Sequence, residues 1–283
     1  TGSPSYNFGK TFVAAIPEQE ARTMEWWREK GPLQIGRSLG RSLSRSLRAG
    51  WRRWRGRDLV TSGNEYDRQT IEIMRRVLRT HSTAIDVGAH RGELVAPLLR
   101  FAPRGKHHAF EALPLFAAHL RSAFPQVQIH EVALGAYCGE AEFQFVENDP
   151  AYSGLQQRLY DRPDPVVTPI RVRVATLDSE LPSVSSVALI KLDIEGGEYH
   201  AIQGGLSTIQ RCRPVLIFEG GTRSTGQYGV TADDMYQLIV RELRYDLSTM
   251  ARWLARQPSL AHDQFLETWT TGSDYYFIAT PRT

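Results

Sequence analysis

Apolar positions along the chain recur with two periods, and the alternation between them indicates the fold class. At about 100° per residue, Leu39, Leu43, Leu47, Trp51 and Trp54 fall on one side of a predicted helix, with most of its arginines opposite. Ile71, Met74, Val77 and Leu78 repeat that spacing in a predicted helix over 66–79. A short apolar strand then ends at Asp86, and Gly88 and Gly92 open a turn into a helix carrying Leu94, Val95, Leu98 and Leu99. His107 to Ala112 reads as a second strand, 115–124 as a helix and 127–134 as a third strand. Val184 to Glu195 is the most apolar stretch, as a central parallel strand buried on both faces should be. A helix over 198–209 interrupted near Gly204-Gly205, a strand over 214–219, a helix over 235–243 and a last strand over 275–279 complete the series. Strands alternating with helices predict an α/β protein built on a parallel sheet.

Two stretches depart from this rhythm. Phe143 to Val146 and Ile170 to Val174 alternate apolar and polar residues with period two, which predicts half-exposed strands away from the central sheet. The connection between them, 147–169, is rich in Pro, Asp and Gly and long for a compact domain. With Tyr152, Ser153, Leu155 and Tyr160 it reads either as a lid over a site or as a surface excursion. Trp253 and Trp269 read as core residues.

Composition narrows the class without naming a function. The 283 residues, 41% hydrophobic and 23% charged, suit one globular domain with an appendage, taken as 1–60 and 61–283. The net charge of +3 hides an asymmetry, because 30–57 carries Lys30 and eight arginines and no acid, leaving −6 elsewhere. The alkaline character therefore belongs to one segment, and nothing in the rest points to a nucleic-acid substrate. Cys138 and Cys212 form neither a disulfide framework nor a metal-binding pattern, and are expected to be small packed residues in a reducing, cytoplasmic setting. No apolar run approaches the roughly 20 residues of a membrane span, and Phe12 to Ile16 is too short for a signal-peptide core. The expectation is a protein neither secreted nor membrane-spanning.

The candidate chemistry sits at strand ends. A strand that stops at glycines and restarts as a helix leaves backbone N–H groups bare, and Asp86 just before them suits a charged or hydroxylated ligand group. Glu111 ends the next strand about 25 residues later, close to the interval at which nucleotide-binding α/β folds place a carboxylate on ribose hydroxyls. In the central strand, Lys191, Asp193 and Glu195 share one face at the C-terminal end, where open α/β sheets bind ligands. Three charges in so apolar a strand call for a ligand or for a self-satisfied ion pair sealing the strand end.

The first turn, D-x-G-x-x-x-G, looks like the first motif of class I S-adenosylmethionine (SAM) methyltransferases. Joined with Phe110-Glu111, Val132-Ala-Leu-Gly135, Lys191-Leu-Asp-Ile-Glu-Gly196, Glu198 and Gly204-Gly205, it resembles the FkbM family of SAM-dependent methyltransferases over roughly residues 65 to 280. The resemblance implies a Rossmann-like sheet of about seven mostly parallel strands with helices on both faces, preceded here by the N-terminal helical extension. It implies that Asp86, Gly88, Ala89, His90 and Gly92 surround the methionine and ribose parts of SAM. Glu111 and Ala112 would lie at the ribose, and Val132, Ala133 and Leu134 near adenine. His90 and Glu131 stand where the family usually has Asn, which affects the contacts to the amino-acid end and to adenine.

The family's characterised members largely methylate hydroxyls, so the expected activity is O-methylation of a sugar, glycan or secondary metabolite. Such a displacement needs acceptor oxygen and methyl carbon aligned at about 3 to 3.5 Å, and a base for the hydroxyl proton. Asp193, Glu195, Lys191 and His200 are the predicted catalytic set, with Lys191 orienting the carboxylates; His90 and Glu198 are further candidate bases. No Asn/Asp-Pro-Pro-Tyr follows the fourth strand, which speaks against amino-methylating enzymes that carry that motif. The expectation is that no metal is needed. Two alternatives stand beside it: a metal-assisted enzyme with Asp193, Glu195 or Glu219 on Mg²⁺, and a non-catalytic SAM-binding protein recruited to a membrane or assembly. The helix over 37–57 is expected to pack on its own domain, or to meet anionic lipid or a protein partner and make the protein peripheral on a membrane. The sequence leaves the acceptor and the oligomeric state open.

Overall fold

The computed structural model describes residues 65–158 and 164–282. The predicted basic helix over 37–57, the rest of the 1–60 extension and Tyr160 lie outside the described residues. Helix α1 (Glu65–Val77) buries Thr70, Ile73 and Met74, and places acids in its first turn and arginines in its last, matching the helix dipole. Then follow β1 (Ala84–Val87), α2 (Val95–Phe101), β2 (His108–Phe110), α3 (Pro114–Ala123), β3 (Gln128–His130), β4 (Ala133–Leu134) and β5 (Gly139–Val146). Beyond the long connection come β6 (Val167–Ala175), α4 (Leu177–Glu180), β7 (Leu189–Leu192), α5 (Glu198–Gln203), α6 (Leu206–Cys212) and β8 (Val215–Glu219). The chain ends with α7 (Thr222–Thr225), α8 (Ala232–Tyr236), β9 (Tyr245–Thr249), α9 (Met250–Leu254), α10 (His262–Thr271) and β10 (Tyr276–Pro281).

Seven strands form the main sheet in the order β3-β2-β1-β7-β8-β10-β9. The expected mostly parallel, Rossmann-like arrangement is present: β3, β2, β1, β7 and β8 run parallel, and β10 is antiparallel to both β8 and β9. Strand alternation sorts the core into two layers. Ile85, Val87, Ile190, Leu192 and Phe218 face α5, α6, α8 and α10, while Ala84, Leu189 and Ile217 face α1, α2 and α9. Asp86 and Lys191 are register partners on the second face, which brings two buried charges side by side between β1 and β7.

Several expected elements differ in detail. The third strand of 127–134 divides: β3 stays at the edge of the main sheet, while β4 leaves it to pair with β6 in a three-stranded sheet with β5. The helix over 198–209 is interrupted at the glycine pair as expected, and a Cβ on Gly204 would meet the Gly135 carbonyl at 2.1 Å. The helix expected over 235–243 starts earlier and continues from α8 as a π-helical turn, Gln237–Glu242. Trp269 is buried as expected and Trp253 half-buried under Arg76. Cys138, read as packed, is exposed beside Ser179, and Cys212 is half-buried.

Candidate active site

The C-terminal ends of β1, β2, β4 and β7 surround one cleft of about 350 Å³. Its floor is the β1 turn. Gly88 takes φ +79°, and a Cβ there would stand 1.9 Å from the Asp193 carbonyl, so the β1 and β7 ends touch only because this residue is glycine. The N–H groups of Gly88 and Ala89 both bond to the Phe110 carbonyl, at 3.0 and 3.1 Å, and that of His90 bonds to Glu111. The expected bare donors are therefore spent within the protein, because β1 continues to pair with the β2 end after its strand geometry stops.

Glu111 gains what the turn gives up. One oxygen accepts the His90 N–H and the other the Leu113 N–H, each at 2.8 Å, so the carboxylate is fixed while its remaining lone pairs face the cleft. Burial outweighs those bonds and pushes its carboxyl up to about 6. Val132, Ala133 and Leu134 add an apolar wall with Phe110, Leu113 and Phe143. His90, at φ +47°, packs its ring on Phe116 and sets Nδ1 3.5 Å from Glu93.

At the β7 end, Lys191 Nζ lies 3.1 Å from Asp193 Oδ2 and 3.6 Å from Asp86 Oδ1. Burial alone would lower this ammonium, but Asp193 and Asp86 outweigh it and hold Lys191 above its ordinary value. The Asp86 carboxyl is raised by its burial, which Lys191 offsets in part. Asp193 is also penalised by its surroundings, yet Lys191 and the Tyr276 hydroxyl, 2.7 Å from Oδ2, keep it below the usual range. Side-chain exposure separates the three: 27% for Asp193, against 7% for Lys191 and 2% for Asp86. Only the Asp193 carboxylate is presented to the cleft rather than sealed beneath it.

Beyond Asp193 the wall turns acidic. The carboxylate oxygens of Asp193, Glu195 and Glu219 lie within 4.8 Å of one another. Glu195 is paired with Arg158, whose guanidinium stacks on Tyr152, and burial with the nearby Asp193 and Glu198 pushes the Glu219 carboxyl well up. Glu198, fully buried, accepts the Ile194 N–H at 2.7 Å, and burial pushes its carboxyl up to about 7.

A family model described as the methyltransferase FkbM domain matches residues 86–247, more than half of the chain. The chain belongs to this family. Family membership brings SAM as the cofactor. The anchored Glu111 carboxylate and the apolar wall fit that molecule's ribose and adenine parts, and the acidic lining its cationic part.

No curated protein sequence matches the chain. Among solved structures, methyltransferase FkbM from Methylobacillus flagellatus shares 15% identity with a TM-score of 0.44, over 78% of this chain and 56% of that one. The chain thus spans little more than half of that protein's length. A TehB-like SAM-dependent methyltransferase from Corynebacterium glutamicum shares 13% identity with a TM-score of 0.42, over 84% of this chain and 98% of that one. An O-methyltransferase from Bacillus cereus, solved in complex with SAH, shares 11% identity with a TM-score of 0.39, over 92% and 97%.

Of the sequence-predicted residues, Asp86, Gly88, Ala89, His90, Glu111, Ala112, Val132, Ala133, Leu134, Lys191, Asp193 and Glu195 line the cleft. Gly92 and His200 do not. Gly92, at φ +87°, serves packing, since a Cβ there would meet the Phe124 ring at 2.3 Å. His200 lies on α5 with its ring 5.9 Å from Tyr228, and burial lowers its pKa. Sequence reasoning missed Tyr276, Tyr228, Arg158 and Asp67, which come from four distant elements; no local pattern marks them.

Proposed function

We propose that this protein transfers the methyl group of SAM to a hydroxyl of a sugar, glycan or secondary metabolite. The observation that carries this reading is the Asp193 carboxylate, oriented by Lys191 and Tyr276 and presented to the same cleft as the anchored Glu111. Bound there, SAM supplies an activated methyl: the acceptor oxygen forms the new C–O bond as the C–S bond breaks, with the electron pair left on sulfur and the hydroxyl proton released. Glu111 holds the ribose hydroxyls, and the wall at 132–134 excludes water around the adenine. Asp193 accepts the hydrogen bond from the acceptor hydroxyl and receives its proton as the oxygen becomes acidic during bond formation. A carboxylate of low basicity suffices, because the oxygen loses electron density before the proton leaves. Glu195, paired with Arg158, shapes the acceptor end.

The cleft also supports a choice of acceptor charge. Asp67, Asp86, Glu93, Glu111, Asp193 and Glu195 line it, and among the described residues Lys191 is the one Lys or Arg that does. Such a lining suits a cationic cofactor and a neutral acceptor. The segment Pro150–Tyr152 with Ser153 and Leu155 closes one side of the cleft, in keeping with the lid reading of that connection. Incubating the protein with methyl-labelled SAM and fractionated glycan or metabolite extracts tests the function. Label appearing in an alkali-stable methyl ether supports it, and cofactor binding without transfer to any fraction would favour a non-catalytic binding protein.

For residues 37–57 the reading rests on sequence alone. We infer that this basic amphipathic segment, in the extension over 1–60, attaches a cytoplasmic enzyme peripherally to anionic lipid or to a protein partner. Among the described residues no helix is long and apolar enough to cross a membrane.

A further inference from the structure

Tyr276 does not line the cleft, yet its hydroxyl reaches Asp193, a carboxylate that does. It opens β10, the antiparallel strand of the sheet, and its register partner is Glu219 at the end of β8. From there the phenol crosses to the end of β7 and donates to Asp193 Oδ2 at 2.7 Å, the same oxygen that Lys191 Nζ approaches at 3.1 Å. The ring is clamped from both sides of the chain, with the Tyr66 centroid at 4.8 Å and the Tyr275 centroid at 5.5 Å. A clamped phenol loses little entropy in making this bond, and a hydrogen bond to a charged acceptor is about twice as strong as a neutral one.

We propose that Tyr276 is a positioning residue for Asp193, fixing the direction of its carboxylate and keeping it a hydrogen-bond acceptor toward the cleft. The charged and titratable groups around Asp193 make this role specific. Lys191 and Asp86 come from the two central strands, Glu219 from β8, Glu195 from the turn after β7 and Glu198 from the start of α5. Four of these five are carboxyls that oppose a negative Asp193 when ionised. Lys191 is shared with Asp86, whereas the Tyr276 phenol donates to Asp193 at 2.7 Å. Glu219, whose carboxyl is pushed well up by burial and by Asp193, stands within 4.8 Å of the same carboxylate.

This inference rests on the proposed role of Asp193, so its test reads the carboxylate directly as well as turnover. Protein labelled with ¹³C at the aspartate carboxyls is titrated by NMR, with the Asp193 signal assigned by its loss in Asp193→Asn. In Tyr276→Phe the Asp193 midpoint should rise by about one pH unit, and the acidic limb of kcat should move up with it. Tyr275→Phe, which removes a neighbouring hydroxyl not bonded to Asp193, should leave both in place. Should Tyr276→Phe lose its fold, 4-fluorophenylalanine at 276 fills the para position without a donor and should give the same shift. An unmoved Asp193 midpoint in a folded variant overturns the inference. A shifted midpoint with an unmoved kcat profile supports the positioning and instead overturns the catalytic role assigned to Asp193.

Discussion

The carbonyl oxygen of Asp193 lies 1.9 Å from the point where a Cβ on Gly88 would stand. The two strand ends that form the cleft floor are thus in contact through a residue with no side chain. Gly88→Ala would place a methyl against rigid backbone at φ +79°, a conformation that also costs an L-residue about 1 kcal/mol or more. The expected outcome is a lowered melting temperature together with at least a tenfold loss of SAH affinity by calorimetry, since the Asp193 segment must move away. Unchanged affinity in Gly88→Ala would show that the cleft floor does not carry the cofactor.

Much of this arrangement was legible because it depends on strand ends, which are local in sequence. Asp86 and Glu111 each follow directly from where an apolar run stops, whereas the 132–134 wall came from the family resemblance. The Lys191 and Asp193 pair was equally readable from alternation along β7, but its third partner was not: Tyr276 arrives 83 residues later through an antiparallel strand whose register no local pattern fixes. The supposedly bare N–H groups at the β1 turn failed for a related reason. Periodicity shows where a strand ends, whereas the Phe110 carbonyl that takes the Gly88 and Ala89 donors belongs to a neighbouring strand. Arg158 was invisible because the connection holding it has no periodicity.

Cofactor affinity should depend on pH through Glu111. Burial raises its carboxyl to about 6, and the ionised form is the better acceptor for two ribose hydroxyls. Binding therefore favours loss of the proton, and affinity should weaken as pH falls below 6, by up to about tenfold per unit. Glu111→Gln should bind SAH more weakly at pH 8 and should lose most of that slope. Calorimetric titrations at pH 5, 6, 7 and 8 decide it; a parent protein whose affinity is flat across this range would remove Glu111 from the ribose.

Glu198 provides a stability test with the opposite readout. Burial pushes its folded-state carboxyl up to about 7, above the ordinary 4.5 of the unfolded chain, so the folded protein holds this proton more tightly. The sign follows: stability is fully present below pH 4.5 and is lost as pH rises through 7, by on the order of 3 kcal/mol from this group. Glu198→Gln keeps a carbonyl oxygen for the Ile194 N–H and removes the charge. Above pH 8 the variant should be more stable than the parent in urea melts, and below pH 5 the difference should shrink or reverse. A variant less stable than the parent at every pH would mean that the buried carboxylate is compensated by a partner in the folded state.

Asp193 separates catalysis from cofactor support. Asp193→Asn keeps an oxygen for the Tyr276 hydroxyl but removes the negative charge beside Lys191 and the ability to take a proton. If the carboxylate serves the acceptor, SAM affinity should stay within a few fold of the parent while kcat falls by about 100- to 10,000-fold, the range typical of a lost general base. If it instead holds the cofactor, affinity and kcat/KM should fall together. Glu195→Gln should have the smaller effect on turnover, because that carboxylate is already paired with Arg158, and its loss should appear mainly in the KM for the acceptor. Lys191, sealed between Asp86 and Asp193, should tolerate neither Met nor Ala without loss of stability, since either leaves the buried Asp86 carboxylate without its cation. Full turnover in folded Asp193→Asn and Glu195→Gln would move the reaction's proton acceptor away from the β7 end and leave His90 as the next lining group to test.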